Sequence, residues 1–235
     1  MLQADSWNQE SHGFIRGECQ MAMPTPRVKI CGLTRLDQCL AIAALGVHAL
    51  GFIGVPTSKR YVPLEHLAEL TQDLPPFISR IGVFADADLE GIVKTVRTGG
   101  LTGVQLHGQE SPEYCARLRE LLPSGEIIKA LRLQAPKQLQ TLDAYAPYTT
   151  AFLLDAYHPQ QLGGTGQTLD WRQLEDFKPP RPWILAGGLT PENIAEALTL
   201  LTPQAVDLSS GVERAPGDKA IERVVQLLAR LRTLA

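Results

Sequence analysis

The chain has 235 residues, 44% of them hydrophobic, and a formal net charge of −3. That length suits one large α/β domain or two small ones, and mild acidity without basic runs does not advertise nucleic-acid binding. No run reaches the ~18 apolar residues of a membrane span. The cysteines, Cys19, Cys31, Cys39 and Cys115, form neither a CxxC pair nor a zinc-like spacing, so the expectation is a reducing, cytoplasmic setting and no metal.

Met1 to Pro26 is polar and irregular. It reads as a disordered extension, or as the product of an upstream start codon with Met21 or Met23 as the used start. From Arg27 a regular pattern begins. Short apolar runs read as strands at Val28–Cys31, Ala49–Ile53, Ser79–Phe84, Gly103–Leu106, Ile127–Leu131, Ala151–Asp155, Trp183–Ala186 and Ala205–Leu208. Amphipathic segments such as LDQCLAIAALG, PLEHLAELTQDL, SPEYCARLRELL, TPENIAEALTLL and DKAIERVVQLLARL lie between or after them. Thr34 with Asp37, Ser111-Pro112-Glu113 and Thr190-Pro191-Glu192 look like helix starts, with a capping hydroxyl and an acid in the first turn. Eight βα units in a little over 200 residues predict an α/β fold, a single (β/α)8 TIM barrel over residues 27–235. The rival is a doubly wound open sheet, but no G-x-G-x-x-G follows the first strand.

In such a barrel the site gathers at the carboxyl ends of the strands. Strand one ends on Cys31 and strand six on Asp155. Across a barrel mouth these two would make a general base and a general acid. A thiolate base calls for a pKa below that of free cysteine. The plain alternatives are an inert core thiol for Cys31 and a turn or cap residue for Asp155. Strand two leads to Arg60, which could clamp an anion bidentately or be a solvated charge beside Lys59. Strand four supplies Gln105 and His107 as lining residues, although a strand-end histidine is as often a structural donor.

The turns after strands seven and eight read as an anion site. AGGLTPEN offers Gly187 and Gly188, and DLSSGVE offers Asp207, Ser209, Ser210 and Gly211. Loops at these two places often bind phosphate in this architecture, with backbone amides and hydroxyls as donors; tight turns without a ligand are the alternative. GGTGQT, Gly163 to Thr168, lacks the lysine of a P-loop and reads as a flexible loop over the site. His12, His48, His66 and His158 join no constellation.

VKICGLT, GFIGVPTSKRYV, IGVFAD, VQLHG, LLDAYHPQQLGGTGQTLDW, LAGGLTPENI and VDLSSGVE occur in this order. Together they resemble the phosphoribosylanthranilate isomerase family of tryptophan biosynthesis, from about Val28 to the C-terminal helix. The resemblance implies an Amadori rearrangement of N-(5-phosphoribosyl)anthranilate, without cofactor or metal. It implies Cys31 as the base at C2, Asp155 as the acid at the ring oxygen, and Arg60 on the anthranilate side. It also implies that the segments holding Gly188, Asp207, Ser209 and Ser210 carry the phosphate, with Asp207 in a positioning role. The expected partner is a small phosphorylated substrate; monomer and homodimer both stay open. Gln167, where many relatives have lysine, and Val55 and Thr57 depart from the pattern. The rivals are another phosphosugar barrel, such as the indole-forming synthase of the next step, and a non-catalytic phosphometabolite-binding barrel. The first calls for lysines at strand ends, whereas Lys29 and Lys129 lie within strands.

Overall fold

The computed structural model describes residues 25–133, 136–156 and 171–234. Most of the N-terminal extension, His12, His158, Gln167 and the GGTGQT segment lie outside the described residues.

Eight parallel strands close into a barrel in sequential order. They are β1 (Arg27–Cys31), β2 (Ala49–Ile53), β3 (Ser79–Phe84), β4 (Gly103–Leu106), β5 (Glu126–Leu133), β6 (Ala151–Ala156), β7 (Trp183–Leu185) and β8 (Ala205–Leu208). β8 closes the ring against β1, with Lys29 opposite Asp207. Helices α1 (Leu36–Ala44), α2 (Leu64–Thr71), α3 (Leu89–Thr98), α4 (Pro112–Leu121), α5 (Leu142–Tyr145), α6 (Ile194–Leu200) and α7 (Ile221–Arg232) follow the strands.

The period-2 alternation of each strand sorts the core in two. Val28, Ile30, Leu50, Phe52, Val104, Leu106, Phe152, Leu154, Val206 and Leu208 belong to the large outer cluster shared with the helices. Ile81, Ile128, Ala130, Leu153, Ile184 and Ala186 form a separate inner cluster. The inward parity runs on through Lys29 and Cys31 on β1, Gln105 on β4, Asp155 on β6 and Asp207 on β8. The strands therefore carry an apolar plug inside the barrel and polar groups above it.

The strand expectations hold with small shifts. β5 runs two residues past Leu131 because Arg132 pairs with Asp155 and Leu133 with Ala156. β7 stops at Leu185, although the Ala186 amide still donates to the Leu154 carbonyl.

Of the three expected helix starts, one holds and two depart. Ser111 caps α4 as expected, accepting from the Tyr114 amide, with Pro112 in the first turn. Thr34 does not cap α1: its hydroxyl donates to the Gly217 carbonyl instead. Thr190 accepts from the amides of Glu192 and Asn193, but α6 proper begins only at Ile194.

The last segment is the largest departure. Asp218 and Lys219 are not helical. They form strand β10, which pairs antiparallel with β9 (Glu213–Ala215), and α7 follows. This hairpin carries Glu213 and Lys219 back to the barrel mouth.

Candidate active site

Cys31 ends β1 and is 6% exposed. Its sulfur occupies the space beside Gly51, where a Cβ would lie 2.7 Å from Sγ. Two residues earlier on the same face, Lys29 is buried, and its Nζ lies 2.9 Å from Asp207 Oδ2. The second oxygen, Asp207 Oδ1, is buried without a partner. Burial alone would depress the Lys29 ammonium, but Asp207 and then Cys31 outweigh it and its pKa is raised.

Burial pushes the Cys31 thiol up, with Lys29 and Lys219 opposing and Asp207 reinforcing the rise. A thiolate base calls for a lowered value; the shift runs the other way. Desolvation of the thiolate outweighs the two nearby cations, and Asp207 adds to the rise.

Asp155, at the end of β6, is also buried. His107 Nε2 stands 3.3 Å from Asp155 Oδ2, and Gln105 Nε2 stands 2.9 Å from His107 Nδ1. The Gln105 amide thus engages Nδ1 of the ring and leaves Nε2 facing Asp155. Arg132 donates to the His107 carbonyl at 3.3 Å. Gln105 and His107, expected to line the site, therefore also form a relay that orients Asp155. β1 and β6 are separated by β7 and β8 on the shorter way round the ring.

Arg60 lies over Gly32. A Cβ on Gly32 would meet Arg60 Cδ at 2.5 Å and Ser209 Oγ at 3.1 Å. Its guanidinium is clamped on Glu213: Nε to Oε1 at 2.9 Å and to Oε2 at 3.1 Å, and Nη2 to Oε2 at 2.6 Å. Lys219 reaches the same carboxylate at 2.6 Å, and donates to the carbonyls of Cys31 and Ser209. Burial depresses the Lys219 ammonium, against the pull of Glu213.

The turns after β7 and β8 press together. A Cβ on Gly211 would sit 1.9 Å from the Leu189 carbonyl oxygen. Gly187 and Gly188 both have positive φ, 88° and 65°, and Asn193 donates to the Gly188 carbonyl at 3.0 Å. Among the described residues, the amides of Gly187, Gly188, Ser210 and Gly211 have no hydrogen-bond acceptor. Free amides flanked by Ser209 and Ser210 suit an anion. Again among the described residues, no group of three or more His, Cys, Asp or Glu is placed to hold a metal ion.

Sequence reasoning missed Glu213, Lys219 and the inward Lys29. Lys29 was legible from its shared parity with Cys31. Glu213 ends the DLSSGVE motif but gave no sign of its partners. Lys219 was read as part of a helix.

A closed (β/α)8 ring with a thiol and a carboxylate at two strand ends and free amides at two others defines a barrel enzyme. Comparison with known proteins narrows this. The family described as N-(5'-phosphoribosyl)anthranilate (PRA) isomerase matches residues 28–230. An N-(5'-phosphoribosyl)anthranilate isomerase of Trichormus variabilis is 56% identical over 205 residues, 87% of this chain and 98% of that one. The crystal structure of the Thermotoga maritima phosphoribosyl anthranilate isomerase matches with a TM-score of 0.81 at 34% identity, covering 88% and 99% of the two chains. A phosphoribosyl anthranilate isomerase in complex with reduced 1-(o-carboxyphenylamino)-1-deoxyribulose 5-phosphate matches at 0.78 and 33% identity, over 88% and 99%. The chain belongs to the N-(5'-phosphoribosyl)anthranilate isomerase family.

Proposed function

We propose that this chain converts N-(5-phosphoribosyl)anthranilate to 1-(2-carboxyphenylamino)-1-deoxyribulose 5-phosphate in tryptophan biosynthesis. The reading is carried by the strand-end pair Cys31 and Asp155 in a chain of this family. Asp155 gives a proton to the ribose ring oxygen, and the C1–O bond breaks to leave an iminium between C1 and the anthranilate nitrogen. That cation acidifies C2–H. Cys31, as thiolate, takes the C2 proton, and the electron pair forms an enolamine that tautomerises to the ketone. Substrate and product are isomers, so the scheme balances without a redox partner, metal or cofactor.

The raised pKa of the Cys31 thiol fits this order of events. The iminium supplies beside Cys31 the positive charge that stabilises a thiolate. Arg60 takes the anthranilate carboxylate. The amides of Gly187, Gly188 and Ser210, with the hydroxyls of Ser209 and Ser210, take the phosphate. Asp207 is held by Lys29 and positions rather than binds. Residues 27–235 are the catalytic domain in this reading, and the site of action is the cytoplasm; among the described residues no helix is long and apolar enough to cross a membrane.

Asp155→Asn and Cys31→Ser each test the pair. A positioned acid or base contributes about 10²–10⁴-fold, so each variant should lose turnover by about that factor while keeping its circular dichroism spectrum. Wild-type turnover in either variant rejects its assigned role.

A further inference from the structure

Glu213 sits between two cations at the barrel mouth. Its side chain is 4% exposed, and those of Arg60 and Lys219 are 15% and 0% exposed. Its two oxygens take three bonds from one edge of the Arg60 guanidinium, through Nε and Nη2. Oε1 also takes a bond from Lys219 Nζ and one from the Gly217 amide at 3.2 Å.

A guanidinium offers five N–H donors in a planar fork. With the Nε edge on Glu213, the Nη1–Nη2 edge is left for a second carboxylate, and Nη1 has no acceptor among the described residues. The charges agree with this. Arg60, Glu213 and Lys219 sum to one positive charge, which one substrate carboxylate neutralises. Lys219 in turn ties the cluster to the carbonyls of Cys31 and Ser209. The groups facing C2, the anthranilate carboxylate and the phosphate are therefore connected through one buried acid.

We propose that Glu213 is a positioning residue that presents the free edge of Arg60 to the aromatic carboxylate of the substrate, and through Lys219 locks that clamp to the backbone at Cys31 and Ser209. This rests on Arg60 being the anthranilate contact. Burial alone would raise the Glu213 carboxyl, yet hydrogen bonds and charge from Arg60 and Lys219 hold it below its ordinary value, as expected of an acid kept ionised between its partners.

The test measures ligand preference, which a merely structural ion pair would not move. Binding to the full chain is titrated with reduced 1-(o-carboxyphenylamino)-1-deoxyribulose 5-phosphate and with the same compound carrying phenyl in place of o-carboxyphenyl. A charge-assisted contact predicts about 30-fold preference for the carboxylated ligand in the wild type. Arg60→Leu should abolish it, and Glu213→Gln should cut it at least about tenfold. An unchanged preference in Glu213→Gln, with the preference lost in Arg60→Leu, overturns the role of Glu213 and leaves that of Arg60 standing. No preference in the wild type overturns the Arg60 assignment first, and the proposal with it. If Glu213→Gln does not fold, Glu213→Asp decides: it keeps a charge for Lys219 but is one methylene short. A preference lowered by about fivefold or more supports the proposal, and a wild-type preference rejects it.

Discussion

Cys31 alone would be indistinguishable from the other buried thiols. Its difference lies in what the strand parity brings beside it. Cys39 and Cys115 are fully buried on the helices α1 and α4, whereas Cys31 has Lys29 below it and the mouth above. The Lys29–Asp207 pair at 2.9 Å is buried on both sides, so its members depend on each other. Lys29→Met leaves an uncompensated buried carboxylate and should cost about 3–5 kcal/mol in urea unfolding. Lys29→Met/Asp207→Asn should recover most of that loss, since a pair removed together leaves no orphan charge. A double variant no more stable than the single one contradicts the pairing. Cys31 and Asp155 were legible from the sequence because each ends an apolar run. Glu213 and Lys219 were not, because the partners that bring them to the mouth, Arg60 and the Cys31 carbonyl, lie 153 and 188 residues away in the chain.

Loops after β7 and β8 act as one element. Their contact depends on Gly211, since any side chain there meets the Leu189 carbonyl at 1.9 Å. Gly211→Ala must part the two turns and pull their free amides away from a shared anion. The expected outcome is a KM for the phosphorylated substrate raised about tenfold or more, with kcat less affected; an unchanged KM rejects the two-loop anion site. Most strands were readable because β-branched and apolar runs bounded by glycine or proline leave few alternatives. The β9–β10 hairpin was not readable. Asp218 and Lys219 directly precede a strongly amphipathic run, and only pairing with Glu213–Ala215 takes them out of it. Thr34 shows the same limit: a hydroxyl at a helix start can as well bond a distant carbonyl, here that of Gly217.

At the scale of the whole molecule, barrel closure buries titratable groups in neutral form on its outer side. Burial pushes Cys39 up to about 12, Cys115 up to about 11 and Tyr114 up to about 12. Each folded value lies above the unfolded one, so the unfolded chain releases these protons first. The stability they contribute is whole below the unfolded values and is lost as pH rises through the folded ones. The urea midpoint should therefore be lower at about pH 10.5 than at about pH 8; an equal or higher midpoint contradicts the burial of these groups. The barrel itself was legible from eight short apolar strands with helical segments between them. Its inner charge network was not, because register across β8 and β1 is a property of closure and not of any local window.

The central claim is that this barrel performs the isomerisation. The most direct measurement is turnover of N-(5-phosphoribosyl)anthranilate, generated in situ, by the purified chain. The predicted result is loss of the anthranilate-conjugate fluorescence with 1-(2-carboxyphenylamino)-1-deoxyribulose 5-phosphate recovered by chromatography. A well-folded chain that binds the substrate and leaves it unconverted would contradict the claim and favour a binding barrel.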